Sequence, residues 1–161
     1  MAEAVAALSL GGNIGDVAAA FRHALARFAA TPGVGLVAQS SIWRTGAWGK
    51  SDQPDFLNMA VLVRTSLAPR GLLELCLTIE QERGRQRNQR WGPRTLDIDV
   101  LTYGDQRIDE PGLTIPHPHL HERAFVLAPL AEIAPDMRVA GVRVVALLKH
   151  ADAKGVKKLE G

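Results

Sequence analysis

Apolar positions recur along the chain at two different periods, and the changes between them mark its elements. Val5 to Leu10 is a continuous apolar run of strand length that ends in the turn-rich segment Gly11-Gly12-Asn13-Ile14-Gly15-Asp16. Asp16 is placed to cap a helix starting at Val17, in which Phe21, Ala24, Leu25 and Phe28 follow helical spacing until Thr31-Pro32-Gly33 closes it. From Val34 the period drops to two, predicting a strand that reaches about Arg44. Thr45 to Asp55 has no period and reads as a long loop, of the kind that is usually functional in a compact domain. Phe56 to Thr65 predicts a second strand, antiparallel to the one before it. Pro69 suits a first helical turn, with Leu72, Leu73, Leu75, Cys76 and Ile79 on the buried side.

The polar stretch from Gly84 to Thr95 separates that helix from a strand over Leu96 to Tyr103. A turn at Gly104-Asp105, a short extended piece and a loop through Pro116-His117-Pro118 come next. A helix containing Phe125, Leu127 and Leu130 then ends near Ile133-Ala134-Pro135. The order strand, helix, strand, strand, helix, strand is that of a ferredoxin-like βαββαβ core, an α+β fold with an antiparallel sheet and helices on one face. Residues 1–161 are expected to form a single domain, with 150–161 as a solvated tail carrying His150, Lys154, Lys157 and Lys158.

Composition narrows the class. With 47% hydrophobic and 22% charged residues and no apolar run near the roughly 20 residues of a membrane helix, the chain reads as soluble, and its single cysteine fits a reducing cytoplasm. The single cysteine, Cys76, allows no internal disulfide and reads as a core residue. A net charge of +2 is slight, but Arg83, Arg85, Arg87, Arg90 and Arg94 crowd one segment, which points to a compact anionic ligand rather than a nucleic acid.

Leu96-Asp97-Ile98-Asp99-Val100 carries the most specific chemistry. On a strand, Asp97 and Asp99 share one face while Leu96, Ile98 and Val100 take the other. Two readings fit: a solvated face with two unrelated acids, or a pair whose repulsion is offset by a divalent cation. Magnesium takes one or two carboxylates together with phosphate oxygens and water, and the arginines just upstream favour this second reading. Arginine's planar fork binds phosphate through two parallel hydrogen bonds, and such a segment could close over a transferring phosphoryl group. Asn58 is unusual in a strand, and its amide can pair with a heterocycle's polar edge. The glycines at 11, 12 and 15 lack the pattern of a P-loop and read as a structural turn. His117, His119 and His121 alternate, but Pro116 and Pro118 interrupt them and argue against zinc.

Arg90-Trp91-Gly92-Pro93-Arg94-Thr95-Leu96-Asp97-Ile98-Asp99 resembles the signature of the 6-hydroxymethyl-7,8-dihydropterin pyrophosphokinase family. So do Leu10 to Asp16, Asp52-Gln53-Pro54-Asp55-Phe56-Leu57-Asn58, Ile115-Pro116-His117-Pro118 and Glu122 to Leu127, spread from about Leu8 to Pro135. The resemblance implies transfer of pyrophosphate from ATP to the pterin's hydroxymethyl group, with release of AMP, in folate biosynthesis. Asp97 and Asp99 match the ligands of two magnesium ions. Arg85 and Arg94 match arginines that assist transfer. On the pterin side the matches are Thr45, Gly46, Trp48, Phe56, Asn58, Trp91 and Phe125. On the nucleotide side they are Glu80, Arg85, Arg87, Trp91, Arg94, Val100, Thr114, His117 and Arg123. Gly46 stands where the family often has proline, and Leu77, Gly112 and Pro118 replace Gln, Arg and Tyr of some members. The partners so implied are ATP and the pterin, with no nucleic acid and no membrane, acting on a monomer. Two rivals are an RNA-binding ferredoxin-like module, for which the aromatic strand run is missing, and a kinase that transfers one phosphate.

Overall fold

The computed structural model describes residues 3–46, 55–84 and 95–159. β1 (Ala4–Gly12) leads into α1 (Val17–Ala30), whose first turn is capped by the Asp16 carboxylate accepting from the Ala19 N–H at 3.0 Å. β2 (Val34–Gln39), β3 (Trp43–Thr45) and β4 (Phe56–Thr65) follow, then α2 (Pro69–Glu82) and β5 (Asp97–Tyr103). A small hairpin of β6 (Ile108–Glu110) and β7 (Leu113–Ile115) precedes a 3-10 turn at Leu120–Glu122 and α3 (Ala124–Ile133). A second hairpin, β8 (Arg138–Val139) and β9 (Val142–Arg143), leads to α4 (Val144–His150) and β10 (Val156–Lys158).

The main sheet is antiparallel, ordered β10-β3-β4-β1-β5, and β2 and β3 pair with different lengths of β4. This is the expected βαββαβ core with one extra edge strand. Its two faces are covered separately. Leu8 and Leu10 of β1, Val61 and Val63 of β4 and Ile98 and Val100 of β5 join Phe21 and Phe28 of α1 and Leu72, Cys76 and Ile79 of α2 in one apolar cluster. Ala7, Ala60 and Leu101 join Val126, Leu127 and Leu130 of α3 and Val144 of α4 in the other. The expectation of helices on one face holds for α1 and α2 only, because α3 and α4 cover the opposite side. Cys76 lies in the first cluster, and burial pushes its thiol up so far that it stays protonated.

Three boundaries differ from the sequence reading. The strand expected from Val34 to Arg44 is two strands. Its register with β4 shifts between Leu36 and Ala38, and the chain breaks pairing at Ser40–Ile42. Ser40 is buried at that break, where its hydroxyl donates to Ser41 O and accepts from the Ala60 N–H. Gly11 and Gly12, read as the start of a turn, belong to β1 and pair with Asn58 and Leu57. Within the stretch expected to be a solvated tail, Val156–Lys158 pairs with β3, although both lysines remain exposed. On β5 the register against β1 slips by one residue, Ala7 facing Thr102 and Leu8 facing Val100, so Leu101 lies in a bulge.

Candidate active site

A cleft of about 630 Å³ opens where β1, β4 and β5 end beneath the start of α3. Strand alternation determines what lines it. Ser9 and Gly11 of β1, Phe56 and Asn58 of β4, and Asp97 and Asp99 of β5 are the residues whose neighbours in sequence enter the apolar cluster on the other face. Across the ladder, Ser9 faces Asp99 and Gly11 faces Asp97, while Gly11 also faces Asn58. β3 adds Thr45 and Gly46, and Thr45 pairs with Phe56. Arg123 and Phe125 arrive from the N-terminal end of α3, the guanidinium carbon 5.8 Å from the centre of the phenylalanine ring.

Two polar atoms here are buried without a hydrogen-bond partner, Thr45 Oγ1 and Asn58 Oδ1. Such orphans are uncommon in folded proteins and mark places where a ligand completes the bonding. Asn58 is also held by its neighbour across the ladder. A Cβ on Gly11 would stand 2.7 Å from Asn58 Nδ2, so only glycine leaves the amide where it is.

The carboxylates sit at the floor. Asp97 and Asp99 are half-buried on one face of β5, with Ile98 and Val100 packed on the other. The outer edge of β5 is closed by hydrogen bonds from other elements. The Ile98 N–H donates to Glu80 Oε2 at 2.7 Å, and the His117 N–H donates to Leu101 O at 2.9 Å. Burial holds the His117 imidazole below its usual range despite the opposing pull of Asp99, and Arg123 and His119 add to the depression. Among the described residues no group of three or more His, Cys, Asp or Glu side chains could enclose a metal. Two hard oxygen donors on an open cleft suit magnesium, which keeps water and takes the remainder of its shell from phosphate.

Eight residues matched from the sequence thus share one cleft: Thr45, Gly46, Phe56, Asn58, Asp97, Asp99, Arg123 and Phe125. Four expected on the nucleotide side do not line it. Glu80 is buried, its carboxylate taken up at the β5 edge, and the Val100 side chain packs in the core. Thr114 and His117 line a second hollow of about 580 Å³ under the two small hairpins, together with Pro116 and Pro118. Trp48, Arg85, Arg87, Trp91 and Arg94 lie outside the described residues. Ser9, Gly11, Gly12 and Val126 line the cleft without having been singled out as site residues. The signal for Ser9 and Gly11 was present, since they alternate with Leu8 and Leu10 as the aspartates alternate with Ile98 and Val100.

Comparison with known proteins identifies the family. Residues 7–135 match the family described as 7,8-dihydro-6-hydroxymethylpterin-pyrophosphokinase (HPPK). A protein of Methylorubrum extorquens named 2-amino-4-hydroxy-6-hydroxymethyldihydropteridine pyrophosphokinase is 50% identical over 153 residues, 95% of this chain and 97% of the relative. A Pseudomonas aeruginosa protein of the same name is 42% identical over 155 residues, 96% of each chain. Among solved structures, Plasmodium falciparum HPPK-DHPS with pteroate superposes over 92% of this chain with a TM-score of 0.71 at 14% identity. That likeness speaks for the fold, and this chain spans 42% of the solved chain's length. By sequence over most of its length, the chain belongs to the 7,8-dihydro-6-hydroxymethylpterin pyrophosphokinase family.

Proposed function

We infer that the cleft between β3, β4, β5 and α3 is where this pyrophosphokinase joins its two substrates. The protein transfers pyrophosphate from ATP to the hydroxymethyl group of 6-hydroxymethyl-7,8-dihydropterin, giving the pterin diphosphate and AMP in folate biosynthesis. One observation carries the assignment of the site: an aromatic-flanked pocket with two orphaned polar atoms, Thr45 Oγ1 and Asn58 Oδ1, opens directly onto a pair of carboxylates.

The pterin is flat and has donors and acceptors along its edge. Phe56 and Phe125 line the cleft from two different elements as aromatic surface for its rings, and Asn58 with Thr45 offers the polar contacts its edge requires. Asp97 and Asp99 would hold magnesium. When bound, that cation supplies positive charge to the triphosphate and lowers the pKa of the pterin hydroxyl. The hydroxymethyl oxygen attacks the β-phosphorus and loses its proton. The bond from that phosphorus to the oxygen bridging to the α-phosphate breaks, and AMP leaves with the bridging oxygen. Arg123, beside the cleft, is placed to meet phosphate charge, and Arg85, Arg87 and Arg94 take the same role by their resemblance to the family. Trp48 and Trp91 are carried over on the same basis as residues beside the substrates.

Product analysis tests this reading. The protein is incubated with ATP, magnesium and the hydroxymethyl pterin, and its nucleotide products are separated. AMP in step with pterin diphosphate is the expected result. ADP would mean transfer of a single phosphate, and no turnover together with salt-sensitive RNA binding would overturn the assignment.

A further inference from the structure

We propose that Glu132, near the far end of α3, is a positioning residue for the pterin pocket, clamping β3 so that Thr45 and Asn58 stay in place. The inference rests on the pterin reading of the cleft but names a residue outside it.

Three donors converge on this one carboxylate. Trp43 Nε1 donates to Glu132 Oε1 at 2.9 Å, while the Ser41 N–H and Ser41 Oγ donate to Oε2 at 3.0 and 2.9 Å. Lys158 of β10, the strand on the other side of β3, stands 3.7 Å away. Both oxygens accept, so an amide, whose nitrogen cannot accept, does not satisfy the whole set, and protonation weakens it. Burial alone would push this carboxyl up, but the Ser41 and Trp43 hydrogen bonds and the Lys158 charge hold it below the usual carboxylate range. The clamp is therefore complete at neutral pH. Its contribution to stability is present above the ordinary carboxylate pKa and is lost as pH falls through the depressed one.

What the clamp holds is one wall of the pocket. Ser41 lies in the break after β2, between Ser40, whose N–H donates to Ala60 O of β4, and Ile42, whose carbonyl accepts from the Leu159 N–H, and its own N–H is the one Glu132 takes up. Trp43 then pairs with Asn58, and Thr45 with Phe56. β3 is only three residues long, so each of its two ladders, to β4 and to β10, is short. α3 presents Phe125 to the cleft at its start and grips β3 near its end. The same helix thus connects the wall carrying Phe125 to the wall carrying Thr45.

The test uses Glu132→Gln, nearly isosteric but with an amide N–H₂ facing a donor, and Trp43→Phe, which removes the indole donor and keeps a ring. With Glu132→Gln the pterin KM should rise about tenfold, as expected when charge-assisted hydrogen bonds that preorganise a site are lost, while kcat and the KM for ATP change less than about threefold. Trp43→Phe should give a smaller rise in the same direction, and the two changes together should be less than additive. Amide exchange at Arg44 and Thr45 should quicken in both variants. A wild-type pterin KM in Glu132→Gln would overturn the proposal even if its Tm fell, because that is the signature of a merely structural carboxylate. If Glu132→Gln does not fold, an unchanged pterin KM in Trp43→Phe has the same force. If the wild-type protein itself makes no AMP, the pterin reading fails; the exchange rates still decide the clamp, and unaltered exchange rejects it.

Discussion

On β1, Leu8 and Leu10 enter the cluster under α1 and α2, while Ser9 and Gly11 line the cleft. On β4, Met59 and Val61 go to the first side and Asn58 to the second. On β5, Ile98 and Val100 do the same against Asp97 and Asp99. The same three strands thus make an apolar face and, at one end of the opposite face, a chemical one, each side chain there assigned by whether its position is odd or even. The apolar face fixes the backbone, and the fixed backbone holds polar groups at separations they would not choose in water. Stability and catalysis should therefore respond to neighbouring residues in opposite ways.

The two faces separate most strongly at adjacent positions on β5. Ile98→Ala should destabilise the fold by about 3 kcal/mol through lost burial and a cavity, read by denaturant unfolding, with pterin KM nearly unchanged in the folded fraction. Asp97→Ala or Asp99→Ala should leave unfolding nearly as it was and slow turnover at least about a hundredfold, equivalent to about 2.7 kcal/mol of barrier. Near-normal turnover in either aspartate variant would remove the metal assignment. Gly11→Ala comes next, because its methyl group would press on the Asn58 amide at the end of a side chain that can move. Pterin affinity measured by titration should fall about tenfold, about 1.4 kcal/mol, with the protein still folded. The smallest effect is expected away from both faces. Ala140, in the turn between β8 and β9, has φ 51, a conformation that suits glycine. Ala140→Gly should raise stability by about 0.5 kcal/mol or slightly more, with kinetics unaltered. A change in pterin KM there would mean that the hairpin communicates with the site.

Much of the chemical face could be read from the chain because alternation is a local property. Asp97 and Asp99 between Ile98 and Val100 declare their side without any tertiary information, and Asn58 is conspicuous in an apolar strand. The break at Ser40 could not be read in the same way. There the Ser40 hydroxyl accepts from the N–H of Ala60, which is twenty residues away in sequence. The strand at Val156–Lys158 was equally hidden, since its apolar content is low and its stabilisation comes from β3 and from Lys158 near Glu132. Glu80 shows a different limit. Its resemblance to a nucleotide-side position gave no sign that its carboxylate would be buried against the Ile98 N–H. A residue's chemistry can be anticipated from type and spacing, whereas the partner that takes it up depends on a fold the local pattern does not encode.

The bulge at Leu101 changes how β5 must be counted. Ahead of it, even-numbered residues face α1 and α2; beyond it, Tyr103 faces that side, and its hydroxyl donates to Leu67 O. The strand is read in two frames, as if one letter had been inserted between two words. Asp97 and Asp99 can therefore occupy the cleft side while Tyr103 anchors the opposite side, which an unbroken strand of the same sequence could not provide. Deleting a single residue there would leave every side chain present and put one of the two words on the wrong side of the page.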